Sequence, residues 1–521
     1  MLSSGEAILK SEIWDLAGER DGILPALRLS YDHLPAHLKR CFAYCCLFHK
    51  GYSMYSNQLV WLWMAQGFIR SEGSIYFIKK EISCRMHDLI HDLARSVLGA
   101  DILEVGDGKS QKNAEKIQHV SCELSRFSVE SFNFKDLCCF KSLRTLILHG
   151  GIWNINHTCP VLTIPPDFFV NLRHIRILDL RRNHITELPE SIGNLIQLRY
   201  LDLSWTVIER LPKSITRLYN LQTLVLACCF KLVEVPSDFS NLVNLRNLFL
   251  MGCSASIPFG GLKCLQYSQH FKVGREIGYR VNKLRDMKHL RGSLRISELE
   301  NVVSVEEAKE AELKNKQKIN HLELAWESHD MDSRQERIEE EVLNALQPHS
   351  NLEELEIKGY GGVRFPTWLW DLRFSKLVSI RLTRCKCRVL PPFGQLPSLK
   401  HLSLGELYGL EKVGREVYGD GMVKGFPSLE ILCIWSMLDL EEWSALEGDM
   451  IHVSEVEIRN CSKLRVLPDI FPLTLDTLVI DNCPLVTEKC KEGGQYWSKI
   501  SHIPNIEIND LDQEYEGEVI P

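Results

Sequence analysis

The sequence predicts an α/β solenoid, a curved parallel sheet made of stacked repeats, preceded by a small and mainly α domain. Three observations predict it. Leu178-Asp179-Leu180, Leu201-Asp202-Leu203, Leu224-Val225-Leu226 and Leu248-Phe249-Leu250 recur at steps of 23, 23 and 24 residues, each inside LxxLxL. Between them fall ELPESIGNL, RLPKSITRL and EVPSDFSNL, a second signal with the same spacing. Residues 1–98 lack that period and show helical spacing instead.

An LxL pair alternates as a strand does, so its leucines point to one side and their neighbours to the other. One repeat cannot bury its own leucines, whereas stacked neighbours bury a continuous core and align their strands in a parallel ladder. The Pro of each second signal turns the chain onto the outer face, where its missing N–H costs little. These features define leucine-rich repeats, whose period is about 20 to 29 residues. The earliest strand expected is LRTLILHG (143–150). Later ones are LRISEL (294–299), HLELAW (321–326), LEIKGY (355–360), SIRLTRC (379–385), HLSLGEL (401–407), ILCIWSM (431–437), EVEIRNC (455–461), TLVIDNC (477–483) and NIEIND (505–510). Residues 301–318 and 331–348 read as helical insertions on the outer face. About fourteen repeats fit in residues 115–510.

The repeat also accounts for cysteines. Cys229, Cys253, Cys385, Cys461 and Cys483 each close an LxLxx unit, as Asn183 does in its own repeat, and are expected to bond to backbone in the turn. A zinc reading of Cys385-Lys386-Cys387 needs a second close pair, which is not evident. Eighteen cysteines, several adjacent and within apolar stretches, do not have the spacing of a disulfide scaffold. The start, MLSSGEAILK, has no basic segment followed by an apolar run, and no stretch approaches ~20 uninterrupted apolar residues. Reduced thiols in the cytoplasm or nucleus are the expectation. A net charge of -7 argues against a general nucleic-acid binder.

In the first hundred residues, SEIWDL (11–16), residues 23–48 with a break at Leu34-Pro35, and NQLVWLWMAQGFI (57–69) read as helices, the last with Gly67 near its end. In RMHDLIHDLARSV (85–97), Met86, Leu89, Ile90, Leu93 and Val97 form one apolar helix face. His87 and His91 stand one turn apart on another face, with Asp88 and Asp92 beside them. The pattern is not HExxH and lacks a third ligand nearby, and a phosphohydrolase built on His-Asp pairs would need further ligands. A helix with a polar outer face is the plainer reading.

SYDHLP, LKRCFAYCCLF, LVWLWMAQGFI and RMHDLIHDLA, in this order before the repeats, closely resemble plant nucleotide-binding leucine-rich-repeat disease-resistance proteins of the coiled-coil class. LPPFGQLPSLKHLSL (390–404), VGREVYG (413–419), FPSLEIL (426–432) and residues 482–508 add to the match. The resemblance implies that residues 1–98 end a nucleotide-binding (NB-ARC) region with a winged-helix-like subdomain; the polar stretch 99–114 reads as a linker, and 511–521, rich in acids without Lys or Arg, as a solvated acidic tail. The resemblance implies that Met86-His87-Asp88 is the family's MHD motif: His87 would sense the diphosphate of ADP, with Asp88 holding the local geometry, and His91-Asp92 on the solvent side of the helix.

Nucleotide binding in that family uses a phosphate loop, GxxxxGK[ST]. Residues 106–110 read GDGKS, but the position of the first Gly is Leu103, so a polar turn is expected. The sequence therefore predicts no cofactor in this chain, ADP or ATP belonging to complete family members, and no enzymatic activity. The resemblance implies a plant innate-immunity protein whose partners are a pathogen effector or a guarded host protein, together with an NB-ARC domain in the same or another chain. A non-immune scaffold and a regulatory or decoy fragment of a receptor are the alternatives. Side chains alternating with the buried leucines should face outward, including Ile177, Asp179, Arg181, Asn247 and Met251. Tyr200, Asp202, Phe249, Arg381, His401 and Trp435 are the expected partner contacts, aromatic and Arg residues being the usual anchors of an interface.

Overall fold

A computed structural model of the chain describes residues 25–69, 82–104, 114–124, 134–150, 161–268, 270–327, 333–419 and 424–509. The expected helix at 11–16, the GDGKS turn and the acidic tail lie outside the described residues. The chain divides into two compact units, Met1–Ala255 and Ser256–Pro521.

The first unit opens with helices Pro25–Asp32 and Ala36–Tyr44, split at Pro35, whose extended conformation serves as the N-cap of the second. A 3-10 turn, Cys45–Leu47, continues that helix. Helix Ser56–Gln66 is apolar around its circumference and stops at Gly67, whose φ of 80° suits the left-handed cap. Met54–Tyr55 pairs antiparallel with Ser83–Cys84, and helix Asp88–Leu98 follows. Strands Ile102–Glu104, His119–Glu123, Thr145–His149, Ile177–Asp179, Tyr200–Asp202, Thr223–Val225 and Asn247–Phe249 then form a parallel ladder. The ladder begins earlier than expected: Ile102–Glu104 is a strand inside the segment read as a linker, and His119–Glu123 precedes the first strand expected. Neither carries the full LxxLxL signature.

The repeats look as their chemistry requires. Pro189, Pro212 and Pro236 each open a 3-10 turn on the far side from the strands. Arg182, Trp205, Cys228 and Gly252 all take positive φ where the chain leaves a strand. Asn183 donates through Nδ2 to Leu148 O at 2.7 Å and Leu180 O at 2.9 Å, and the Cys229 thiol points to Leu203 O at 3.1 Å. Asn183 thus satisfies carbonyls of its own repeat and the preceding one, and Cys229 one of the preceding repeat.

The second unit holds a ten-stranded sheet, from His270–Lys272 through Gly292–Ser297, Ile319–Ala325, Glu354–Lys358, Ser379–Thr383, His401–Gly405, Ile431–Trp435, Glu455–Arg459 and Thr477–Asp481 to Asn505–Asn509. All nine pairings are parallel. Leu322, Leu355, Ile380, Leu402, Leu432 and Val456 form one buried row across it. The expected insertions contain helices Val305–Glu310 and Ser333–Ala345. Cys385 and Cys387 are fully buried, and the Cys385 thiol points to Ile357 O and Thr383 O, a place in the repeat turn.

Candidate functional site: the strand faces of the two units

In the first unit, one row across the face runs Thr145, Ile177, Tyr200, Thr223, Asn247, and the next runs Ile147, Asp179, Asp202, Val225, Phe249. Side chains on such rows were expected to stand open. The structure corrects this for Tyr200, Asp202 and Phe249, which retain only 1%, 3% and 8% of their exposure, and for Ile177, Asp179 and Asn247, also buried. The helices before the repeats cover them. Leu62, Leu59 and Ala65 of the Ser56–Gln66 helix share a core with Tyr44, Ile147, Ile177 and Tyr200. The Trp61 ring lies 4.5 Å from that of Phe249.

Polar groups under this cover are matched closely. Gln66 Nε2 donates to Thr145 Oγ1 at 2.7 Å, and Tyr44 Oη and His119 Nδ1 meet the same hydroxyl at 3.2 and 3.0 Å. Burial pulls the pKa of His119 down to about 4, with repulsion from Arg144 adding to it, so the ring is neutral. Asp179 pairs with Arg181 at 2.8 Å and His149 at 3.2 Å. Burial alone would raise its pKa, but Arg181 and then His149 outweigh burial and hold it below the ordinary carboxylate value. Asp202 accepts from Tyr200 Oη at 3.0 Å and from the Ser204 amide at 2.9 Å. Its pKa is pushed up to about 6, by burial first and then by Asp179, with Arg181 partly offsetting both.

In RMHDLIHDLARSV the helix runs Asp88–Leu98, so His87 is its N-cap rather than a residue of its face. His87 Nδ1 accepts from the Leu89 amide at 3.2 Å, and Asp88 sits in the first turn, where a negative charge is favoured. The expectation for the second pair is corrected: His91 is 5% exposed and its Nε2 meets Phe48 O at 2.9 Å. Only Asp92 reaches the surface, paired with Lys50 at 2.6 Å. Leu89, expected on the apolar face, is 39% exposed. The buried side is His91, Leu93 and Ala94, because that side meets the end of the Ala36–Tyr44 helix and the turn after it.

The second unit presents a different face. Its central row reads Arg295, Glu323, Glu356, Arg381, Ser403, Cys433, Glu457. Flanking rows contain His321, Glu354, Ser379, His401 and Ile431 on one side, and Lys358, Thr383, Gly405, Trp435 and Arg459 on the other. Arg381 and His401 are exposed and Trp435 is half-buried. Arg295 pairs with Glu323 at 3.3 Å, and Arg459 with Glu457 and Asp481 at 3.4 Å. Among the described residues no carboxylate pairs with Arg381. The Trp435 indole lies across Gly405, where a Cβ would stand 2.1 Å from its ring, and its Nε1 reaches Ser403 Oγ at 3.4 Å. Arg381, His401 and Trp435 thus lie on three adjacent rows and three consecutive strands of one open face.

Residues 281–407 match the R13L1/DRL21 leucine-rich-repeat family model, and 154–208 match a general leucine-rich-repeat model. The chain is 36% identical over 545 aligned positions to disease resistance RPP13-like protein 1 of Arabidopsis thaliana, covering 92% of this chain and 49% of that one. The chain is homologous to plant disease resistance proteins over most of its length. Disease resistance protein RGA2 of Solanum bulbocastanum is 34% identical, with 92% of this chain and 47% of the relative covered. The chain therefore spans about half the length of these relatives. Among solved structures, a leucine-rich-repeat protein of Leptospira interrogans is similar at 18% identity and a TM-score of 0.42, covering 76% of this chain and 85% of that one. No helix among the described residues is long and apolar enough to cross a membrane.

Sequence reasoning missed the cover on the first face, although a signal for it was there. The rows of the first unit are rich in Ile, Val, Tyr and Phe where those of the second carry Glu, Arg, Lys and His. A strand face that reads apolar on both sides is one buried on both sides.

Proposed function

We propose that this chain is the recognition part of a plant disease-resistance protein, binding a pathogen effector or a guarded host protein on the strand face of its second unit. The observation that carries this reading is the contrast between the two faces: the first is closed by the chain's own helices, and the second leaves Arg381, His401 and Trp435 accessible side by side. An exposed Arg and a Trp held by its neighbours are the kinds of anchor from which interfaces draw most of their energy. On this reading the chain acts by binding rather than by catalysis, in the cytoplasm or nucleus.

The test is a binding screen of the purified chain against effectors and host proteins of the infected tissue, repeated with Arg381→Glu and Trp435→Ala. Each substitution should weaken a genuine partner by roughly 1–3 kcal/mol. A partner bound equally well by both variants would remove the second face as the site. A partner unrelated to infection would favour the scaffold reading.

A second reading concerns His87 and Asp88. With Nδ1 of His87 engaged by the Leu89 amide, Nε2 carries the proton, and the ring is exposed. That tautomer suits the family's contact from this position to the diphosphate of ADP, which a nucleotide-binding domain would present. ADP would supply the bound charge, and His87 would donate one hydrogen bond to it. Adding such a domain in trans and titrating ADP against wild-type chain and His87→Ala tests this. Equal affinity would reject the assignment.

A further inference from the structure

A cleft of about 520 Å³ opens in the first unit beside the end of the Ser56–Gln66 helix. Five of its lining side chains are cations, Lys39, Arg40, Arg144, Arg176 and Arg199, and Asp101 is the single carboxylate among the described lining residues. The repeat explains three of them. Arg144, Arg176 and Arg199 each stand immediately before a strand, at Thr145, Ile177 and Tyr200. Their backbones are linked rung to rung, Arg176 N–H to Arg144 O and Arg199 N–H to Arg176 O, both at 2.8 Å. Neighbouring rungs are about 4.8 Å apart, so three guanidinium groups emerge close together. The Ala36–Tyr44 helix supplies Lys39 and Arg40.

Local partners satisfy only part of this charge. Arg176 Nη1 donates to Gln66 O at 3.0 Å and Arg199 Nη1 to Ala65 O at 3.3 Å, at a helix C-terminus where cations are favoured. Lys39 donates to Asp32 O, and Arg40 lies over the Phe68 ring. A guanidinium has five N–H donors, so most remain available. Among the described residues none of the five cations is in an ion pair. Burial, followed by repulsion from Arg199 and Arg144, pulls the pKa of Arg176 below its ordinary value. Five cations less one carboxylate leave an excess of four positive charges in one cleft of a chain whose net charge is -7.

We propose that this cleft binds a small anion carrying two or more phosphate groups. Adjacent guanidinium groups match phosphate oxygens in bidentate fashion, and a cavity of this volume suits a ligand of small-molecule size. The anion would bridge the repeats and the helix before them, joining charges that otherwise repel.

The test is titration calorimetry of the full chain with tripolyphosphate at 150 mM NaCl (roughly physiological screening). Saturable binding at one site is expected, weakened about tenfold or more in the double variant Arg40→Gln/Arg144→Gln. These two are chosen because neither caps the Ser56–Gln66 helix. Arg173→Gln, an exposed arginine outside the cleft, should bind as wild type does. Tripolyphosphate should raise the melting temperature of the wild type, and that of the double variant by clearly less at the same concentration. ADP binding more tightly than tripolyphosphate would make the source a nucleotide, and equal binding would make it the phosphate chain alone; either supports the proposal. Lack of saturable binding, a double variant that binds as well as wild type, or equal competition by a polyglutamate peptide would overturn it.

Discussion

Asp202 shows most sharply what the covered face demands of a single side chain. It is fully buried and shares Arg181 with Asp179, so one cation serves two carboxylates. A carboxylate whose folded pKa is raised to about 6 holds its proton more tightly when folded than when unfolded. Its contribution is most favourable below pH 4 and is lost as pH rises from about 4 to 6. Asp202→Asn should therefore stabilise the chain by roughly 1–3 kcal/mol at pH 7 and by little at pH 4.5, measured by denaturant unfolding at both values. A variant equally destabilised at both would show that the carboxylate is held by its partners and is not strained by burial. The sequence marked Asp202 as an accessible contact because alternation fixes which side of a strand a residue takes. Alternation carries no information on what covers that side. His91 was misplaced for a related reason: helical spacing identifies faces, and a polar residue on the packed face satisfied by Phe48 O looks the same in sequence as one in water.

At the level of elements, the strands between Leu178 and Leu250 were legible because leucine spacing and the Pro turn both report the same repeat. Ile102–Glu104, His119–Glu123 and His270–Lys272 were not, since none carries the LxxLxL spacing and each depends on its neighbours in the ladder. The turns that leave the strands make a demand that sequence only hints at, a left-handed residue in nearly every repeat. Gly359 meets it at φ 70°, and a Cβ there would lie 2.0 Å from the Trp326 carbonyl oxygen, on backbone that cannot step aside. Gly359→Ala should cost about 2–4 kcal/mol, combining left-handed strain with overpacking. A melting temperature within a degree of wild type would contradict the close backbone approach at that turn. On the Ser56–Gln66 helix, Trp61→Ala should remove about 3 kcal/mol or more by stripping the ring from Phe249. It should also raise proteolysis between the helices and the first repeats.

For the chain as a whole, the two units use one repeat chemistry in two ways. Residues 1–255 place apolar and paired charged groups on the strand face and cover it with their own helices. Residues 256–521 place charged and polar groups there, and their helices Val305–Glu310 and Ser333–Ala345 lie in the connections between strands. Which strand face stands open is therefore decided by packing within each unit. Hydroxyl-radical footprinting of the intact chain, read residue by residue by mass spectrometry, tests this most directly. Tyr200 and Phe249 should be protected to the level of core residues such as Leu201, while His401 and Trp435 should be oxidised readily. Oxidation of Tyr200 and Phe249 at the rate of His401 would contradict the account.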